Sequence, residues 1–279
     1  MEETNNGTTV QSAEEDRLSM LTDDILLSIL GRVDISTAVR TSLLSARWSN
    51  VPWLLPELNV DVKDFLPVPN PNTIEASHMD DAMASLTKVA RSFLSKPRSE
   101  STVTRMHLTI YLINNFSGDV GPLLIDAIDS GRLKDLDLII MDEKDPPDCS
   151  DEEMLQKAQD VNGFFNACPS VLVCLTKLSL YNVCFGQLDI HHVLFDFCKQ
   201  LKHIALFHCD AGRRSIWKID APHSELWCFR ALYVLQCCIE KLEVVCLPKL
   251  EKLHCDSHVR TAMLSAHLGV LNGARLPKE

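Results

Sequence analysis

The residues with the most latent chemistry are eleven cysteines and ten histidines. A zinc site needs ligands in close pairs, such as Cys-x-x-Cys, so that one turn can offer two side chains to one ion. No such pair occurs. Cys237 and Cys238 are adjacent, and His203, His208, Cys209, His254, Cys255 and His258 form only loose groups. Covalent catalysis needs a nucleophile on a sharp turn, and nucleotide chemistry needs a phosphate cradle. Neither Gly-x-Ser-x-Gly nor Gly-x-x-x-x-Gly-Lys-Ser/Thr is present. Asp23-Asp24 and His191-His192 read as helix starts rather than acid–base pairs. The expectation is a chain with no catalytic residue, no metal and no cofactor.

What remains is recognition. Net charge is −11, and its placement is uneven. Residues 1–60 hold nine acids and four bases, residues 142–153 hold seven acids and one base, and everything else balances at 22 of each. No basic patch exists to grip phosphates, so nucleic acid is not an expected partner. The acidic run at 142–153 reads as a solvated insertion; the alternative is a contact for a basic partner. Trp217, Trp227 and Tyr233 read as core, with anchoring of a bound protein as the alternative.

Hydrophobic residues make up 46% of the 279 residues, enough for a large core and more than one domain. No apolar run approaches the roughly 20 residues that span a bilayer, and no membrane association is expected. The N-terminus lacks the basic-then-apolar order of a signal peptide. Residues 1–15 are polar and read as a disordered tail. In that setting the cysteines are expected as free thiols, behaving as small buried hydrophobes, and the location as cytoplasm or nucleus.

The stretch from Asp16 to Pro56 organises the rest. Thr22 is placed to cap a helix through its hydroxyl, Asp23 and Asp24 suit the first turn of that helix, and Gly31 suits a left-handed end. Leu21, Ile25, Ile29 and Val33 recur every fourth residue as one stripe; Leu26 and Leu30 make a second. A helix that is apolar nearly all round must bury both sides. A module of about forty residues has too little core to cover both. One side is expected to pack inward and the other to meet another protein. Each Leu or Ile fully buried there is worth about 1.5–3 kcal/mol. Ser36 is placed to cap a second helix with Val39 and Leu43, and Ser45 a short third one with Trp48 and Val51, ended by Pro52.

The runs Leu21-Thr22-Asp23-Asp24-Ile25-Leu26, Ile29-Leu30, Val39-Arg40-Thr41-Ser42 and Leu44-Ser45-Ala46-Arg47-Trp48 resemble an F-box of the plant type. That family usually has Pro in place of Thr22 and a basic residue in place of Ala46. The resemblance implies docking to a Skp-type adaptor, and through it to a cullin, inside a ubiquitin ligase. The residues it points to for the adaptor are Leu21, Ile25, Leu26, Ile29, Leu30, Val33 and Trp48.

Residues 57–100 read as a linker, with a short strand at 57–62, a proline-marked loop at Pro67, Pro69 and Pro71, and a helix from Ala82 to Leu94. From residue 101 the pattern Leu-x-x-Leu-x-Leu recurs, best at Leu201-x-x-Ile204-x-Leu206, Leu175-x-x-Leu178-x-Leu180 and Leu133-x-x-Leu136-x-Leu138. Weaker copies fall at Leu108, at Leu226 with Phe229, and at Leu250-x-x-Leu253-x-Cys255, so that Cys209 and Cys255 close two of the units. Central positions 108, 136, 178, 204, 229 and 253 are spaced 28, 42, 26, 25 and 24 apart, a nearly uniform period once the acidic insertion is removed. Such units bury their strand faces only by stacking. This part resembles the irregular leucine-rich repeats that follow the F-box in many plant members, as do Trp217–Pro222 and Cys246–Leu253. Ile190–Cys198 and His258–Leu271 read as helices.

The expected architecture is therefore α/β: a small N-terminal helical F-box at 16–56, a linker at 57–100, an irregular leucine-rich repeat solenoid at 101–256 and an atypical tail at 257–279. The resemblance implies a non-catalytic substrate-recognition subunit of a Skp–cullin–F-box ubiquitin ligase, with an unidentified target protein on the repeats. The alternative is an adaptor-bound interaction scaffold that does not promote ubiquitin transfer.

Overall fold

A computed structural model describes residues 20–67, 76–95, 103–112, 116–145, 148–185, 194, 197–210, 216–220, 230–237, 239–247, 249–255 and 260–263. The expected N-terminal tail, Pro69 and Pro71, the strand at 226–229, Trp227, His191-His192 and most of the helices expected at 190–198 and 258–271 lie outside these residues.

The chain begins with α1 (Asp23–Leu30) and α2 (Ile35–Thr41), followed by turns and a short 3-10 helix, Val51–Leu54. The caps differ from expectation. Thr22 stands at the N-cap in extended geometry but its side chain makes no capping bond; the helix start is held by the Leu26 amide donating to the Thr22 carbonyl at 3.0 Å. Gly31 ends α1 at φ −67°, a right-handed residue rather than a left-handed one. Asp34, not Ser36, caps α2, accepting the Thr37 amide and hydroxyl at 2.7 Å each. The Ser45 hydroxyl accepts the Trp48 amide at 3.4 Å, but turns follow it instead of a third α-helix, and Pro52 is the second residue of the 3-10 helix rather than the end of one.

Three strand–helix units and a fourth strand follow. They run β1 (Glu57–Asp61), α3 (Ala76–Leu94), β2 (Arg105–Tyr111), α4 (Phe116–Asp129), β3 (Asp135–Met141), α5 (Asp151–Ala167), α6 (Pro169–Cys174) and β4 (Leu175–Tyr181). α3 starts six residues before the expected Ala82. Then come β5 (His203–Phe207), β6 (Ile216–Asp220), β7 (Ala231–Leu235), β8 (Lys241–Cys246), β9 (Lys252–Cys255) and β10 (Arg260–Met263). One seven-stranded sheet has the order β1-β2-β3-β4-β5-β7-β9, and a three-stranded sheet has the order β10-β8-β6. Every pairing in both is parallel.

Side chains alternate across a strand, and β3 shows this cleanly. Leu136, Leu138 and Ile140 are fully buried, while Asp137, Ile139 and Met141 on the other face are only half-buried. The ladder Val60–Leu108–Leu138–Leu178–Ile204–Leu232–Leu253 runs across the seven strands in register and forms the spine of the core. Ile219, Leu242 and Val244 from the smaller sheet join the same apolar cluster as this ladder.

These pairings correct the expected solenoid. Residues that share a register row, from Val60 to Leu253, are separated by 48, 30, 40, 26, 28 and 21 positions, so no uniform unit is repeated. The segments returning between sheet strands also change kind: long helices serve the first half, and strands of the second sheet the last part. The architecture is α/β, a seven-stranded parallel sheet with helices and a smaller three-stranded parallel sheet. The Leu-x-x-Leu-x-Leu pattern misled because any strand with one buried face places apolar residues at every second position, whatever the larger architecture. It also misplaced one row. Leu232 holds the position assigned to Phe229, and Leu138 rather than Leu136 stands beside Leu108. Residues 260–263, expected as helix, form β10 beside β8.

Candidate protein-docking surface

The apolar α1 is split by its own geometry. Consecutive residues on an α-helix turn by about 100°, so Ile25 and Ile29 face away from Leu26 and Leu30. Leu26 and Leu30 are 0% and 2% exposed and belong to the core cluster; Ile25, Ile29 and Val33 keep 47%, 40% and 39% of their surface in solvent. Among the described residues the outer stripe stays partly open to solvent, while the inner stripe belongs to the same core cluster as Ile35, Ala38, Val51 and Leu58. The exposed stripe is thus displayed by a helix whose other side is anchored.

Arg47 fixes the beginning of α1. Its guanidinium donates to the Leu21 carbonyl and pairs with Asp23 at 2.8 Å. Trp48, beside it, is 4% exposed, and the ring of Trp53 meets Phe93 of α3 with centroids 4.5 Å apart. These contacts tie the helical module to the sheet body.

The seven residues singled out for docking therefore part company. Ile25, Ile29 and Val33 lie on the outer stripe, Leu21 is half-buried against the core, and Leu26, Leu30 and Trp48 are interior. The pattern could not separate them, because both stripes are equally apolar. The same module also leaves Met20, Leu43 and Leu44 exposed, at 77%, 86% and 65%. Leu43 was expected on the second helix beside Val39, but α2 ends at Thr41 and leaves Leu43 and Leu44 in an exposed turn; two consecutive leucines were the available signal.

Other reactive groups offer little chemistry. Burial pushes the Cys149 thiol up to about 11 and those of Cys174 and Cys198 up to about 12, so all three stay protonated and poorly nucleophilic near neutrality. Among the described residues no three His, Cys, Asp or Glu side chains gather closely enough to hold a metal ion. No helix among them is long and apolar enough to cross a membrane. Trp217 is buried on β6 and Tyr233 is half-buried on β7.

No family model matches the chain. An F-box/FBD/LRR-repeat protein of Arabidopsis thaliana is 44% identical over 55 residues, 20% of this chain and 12% of that protein. Another Arabidopsis protein of the same description is 29% identical over 119 residues, 42% of this chain and 26% of that protein. An FBD-associated F-box protein of the same plant is 42% identical over 57 residues, 20% and 13% of the two chains. The matched stretches span about a quarter or less of these relatives' lengths. The chain is similar, over partial stretches, to plant F-box proteins.

Proposed function

We propose that this chain is a non-catalytic receptor subunit of a Skp–cullin–F-box ubiquitin ligase. The outer stripe of α1 takes a Skp-type adaptor, and the α/β body takes a target protein. Holding the target beside the transfer machinery raises its effective concentration, so the chain acts by proximity rather than by making bonds. The observation that carries this reading is the partly exposed apolar row Ile25, Ile29 and Val33 on a helix whose opposite side, at Leu26 and Leu30, is fully packed. The partial similarity to plant F-box proteins supports it. Cytoplasm or nucleus is the proposed location, where such ligases meet their targets.

Co-expression with a Skp-type adaptor tests the reading. The two should co-purify as a stoichiometric complex. Ile25→Asp with Ile29→Asp should abolish the complex while leaving the far-ultraviolet circular dichroism and the melting temperature of the receptor unchanged. Failure of the unaltered chain to capture any adaptor ends this proposal. A reconstituted ubiquitination reaction then separates a ligase receptor from a scaffold that docks without transfer.

A further inference from the structure

A cleft of about 370 Å³ opens at the carboxyl ends of β2 and β3, apart from the docking helix. Leu112 follows β2 directly and Asp142 follows β3 directly, and both line it. Crevices beyond the carboxyl ends of parallel strands are where open α/β sheets take ligands, and the volume lies within the roughly 300–1,000 Å³ of ligand pockets. One face of α5 forms a wall, with Glu153, Gln156, Lys157 and Asp160 at the i, i+3, i+4, i+7 spacing. α3 contributes Met79 and Asp80 from the other side.

Two features of the lining are complementary. The Lys157 side chain is only 7% exposed, and its ammonium donates to Glu143 at 3.2 Å. An ammonium carries three donors, and Glu143 is its one hydrogen-bonding acceptor among the described residues. Lys157 lines the cleft, and the remaining donors of a buried ammonium favour an acceptor there. The charge has the opposite bias. Five carboxylates line the cleft against two lysines. Lys144 pairs with Glu153 at 2.5 Å and Lys157 with Glu143, and neither Asp142 nor Asp160 has an ion pair with a lysine of the lining among the described residues. Burial raises the Asp142 carboxyl, against the pull of Lys157, so a cation beside it would be welcome. A metal ion or a polyamine would supply charge but no acceptor for Lys157. An anion would supply the reverse. A polypeptide supplies both.

We propose that this cleft binds a basic segment of a polypeptide, a main-chain carbonyl taking the open donors of Lys157 and an arginine or lysine side chain taking the surplus carboxylates near Asp142 and Asp160. That the segment belongs to the target rests on the receptor reading above; the binding itself does not.

The test uses the full chain and a fluorescein-labelled, end-blocked Ala-Ala-Arg-Ala-Ala peptide, read by fluorescence anisotropy. Its twin carries citrulline, a neutral isostere of arginine. The arginine peptide should bind at least ten-fold tighter than the citrulline peptide, and weaken in 0.5 M salt. Asp142→Asn and Asp160→Asn, each nearly isosteric, should weaken it about five-fold or more. Equal binding of the two peptides overturns the proposal, as does binding indifferent to both variants, competition by spermine as strong as by unlabelled arginine peptide, or no binding at 1 mM protein. The Ile25→Asp, Ile29→Asp chain should bind the peptide normally. Loss of adaptor capture with retained peptide binding leaves the cleft standing, and intact adaptor capture without peptide binding removes the cleft alone.

Discussion

Ile29 and Leu30 are consecutive residues of α1, yet Ile29 keeps 40% of its surface in solvent and Leu30 keeps 2%. The helix turn between them divides an apolar segment into a face that stabilises the module and a face that does not. A substitution on the inner face therefore tests folding, and one on the outer face tests partnership. A double aspartate at Leu26 and Leu30 would place charges in the core and unfold the module, which is uninformative about an adaptor.

Stability should follow that division. Leu30→Ala is expected to cost about 2–5 kcal/mol, the usual range for truncating a buried leucine. Ile29→Ala should stay within about 0.5 kcal/mol. Urea denaturation of the isolated chain measures both. Comparable losses would mean that the outer stripe is covered in solution.

Packing of α4 against the start of α6 gives a sharper test. Gly121 of α4 lies under the Cys168 sulfur so closely that an added Cβ would fall far inside van der Waals contact with Sγ. Alanine gains helix propensity of roughly 1 kcal/mol over glycine, but overpacking a buried site costs typically about 1–3 kcal/mol, and Cys168 is 3% exposed. Gly121→Ala should lower the urea midpoint, and Gly121→Ala with Cys168→Ala should restore it beyond Cys168→Ala alone. If the single variant is as stable as the parent, the cysteine rotates away at no cost.

Much of this was legible in the sequence, for reasons that differ by element. The every-fourth-residue spacing of Leu21, Ile25, Ile29 and Val33 marked α1, but hydrophobicity alone could not say which stripe faced inward. The β3, β4, β5 and β9 leucines announced strands, whereas β7 was misplaced because Leu226 and Phe229 mimic the pattern a few residues early. The acidic run at 142–153 hid a helix start. Ser150 and Glu153 form a reciprocal capping box, with the Ser150 amide donating to Glu153 at 3.0 Å and the Glu153 amide to Ser150 Oγ at 3.3 Å. The Ser-x-x-Glu signature was present, but α5 is polar over most of its surface and shows weak apolar period. The second sheet was not legible, because parallel strands that pair across intervening strands leave no local mark.

The capping box carries its own prediction. Ser150→Ala removes the hydroxyl that satisfies an orphan amide at the α5 terminus and should cost about 0.5–2 kcal/mol. Because Glu153 and Lys157 of the same helix wall the cleft, peptide affinity should fall with it. Ser150→Asp, which retains a capping oxygen, should recover both in urea denaturation and anisotropy. A fully stable Ser150→Ala chain would show that Asp151 and Glu152 in the first turn hold the helix without the box.

The last prediction concerns the open face of the sheet, where His107 on β2 stands between Glu57 on β1 and Asp137 on β3. Nε2 lies 2.6 Å from Glu57 and Nδ1 lies 2.9 Å from Asp137. Both partners are carboxylates, which accept, so both ring nitrogens must carry protons for the bridge to be complete. Arg105 pairs with Glu57 and with Asp135, and Lys177 acts on Asp137 from β4. The hydrogen bond to Asp137, opposed by burial and helped by Glu57, raises His107 above its ordinary 6.5. For Asp137, burial acts upward, but the bonds from His107 and Thr176 outweigh it and hold the carboxyl below 3.8. A raised histidine contributes stability that is complete below 6.5 and lost as pH rises through its folded value; the lowered aspartate contributes stability present above 3.8 and lost as pH falls through its own. The three-strand bridge is therefore strongest between those limits. The urea midpoint of the parent chain, minus that of His107→Gln, should be largest near pH 5–6 and shrink steadily as pH is taken above 7. A difference that stays flat from pH 5 to 9 would mean that the imidazole is neutral in the folded chain and bridges only one carboxylate.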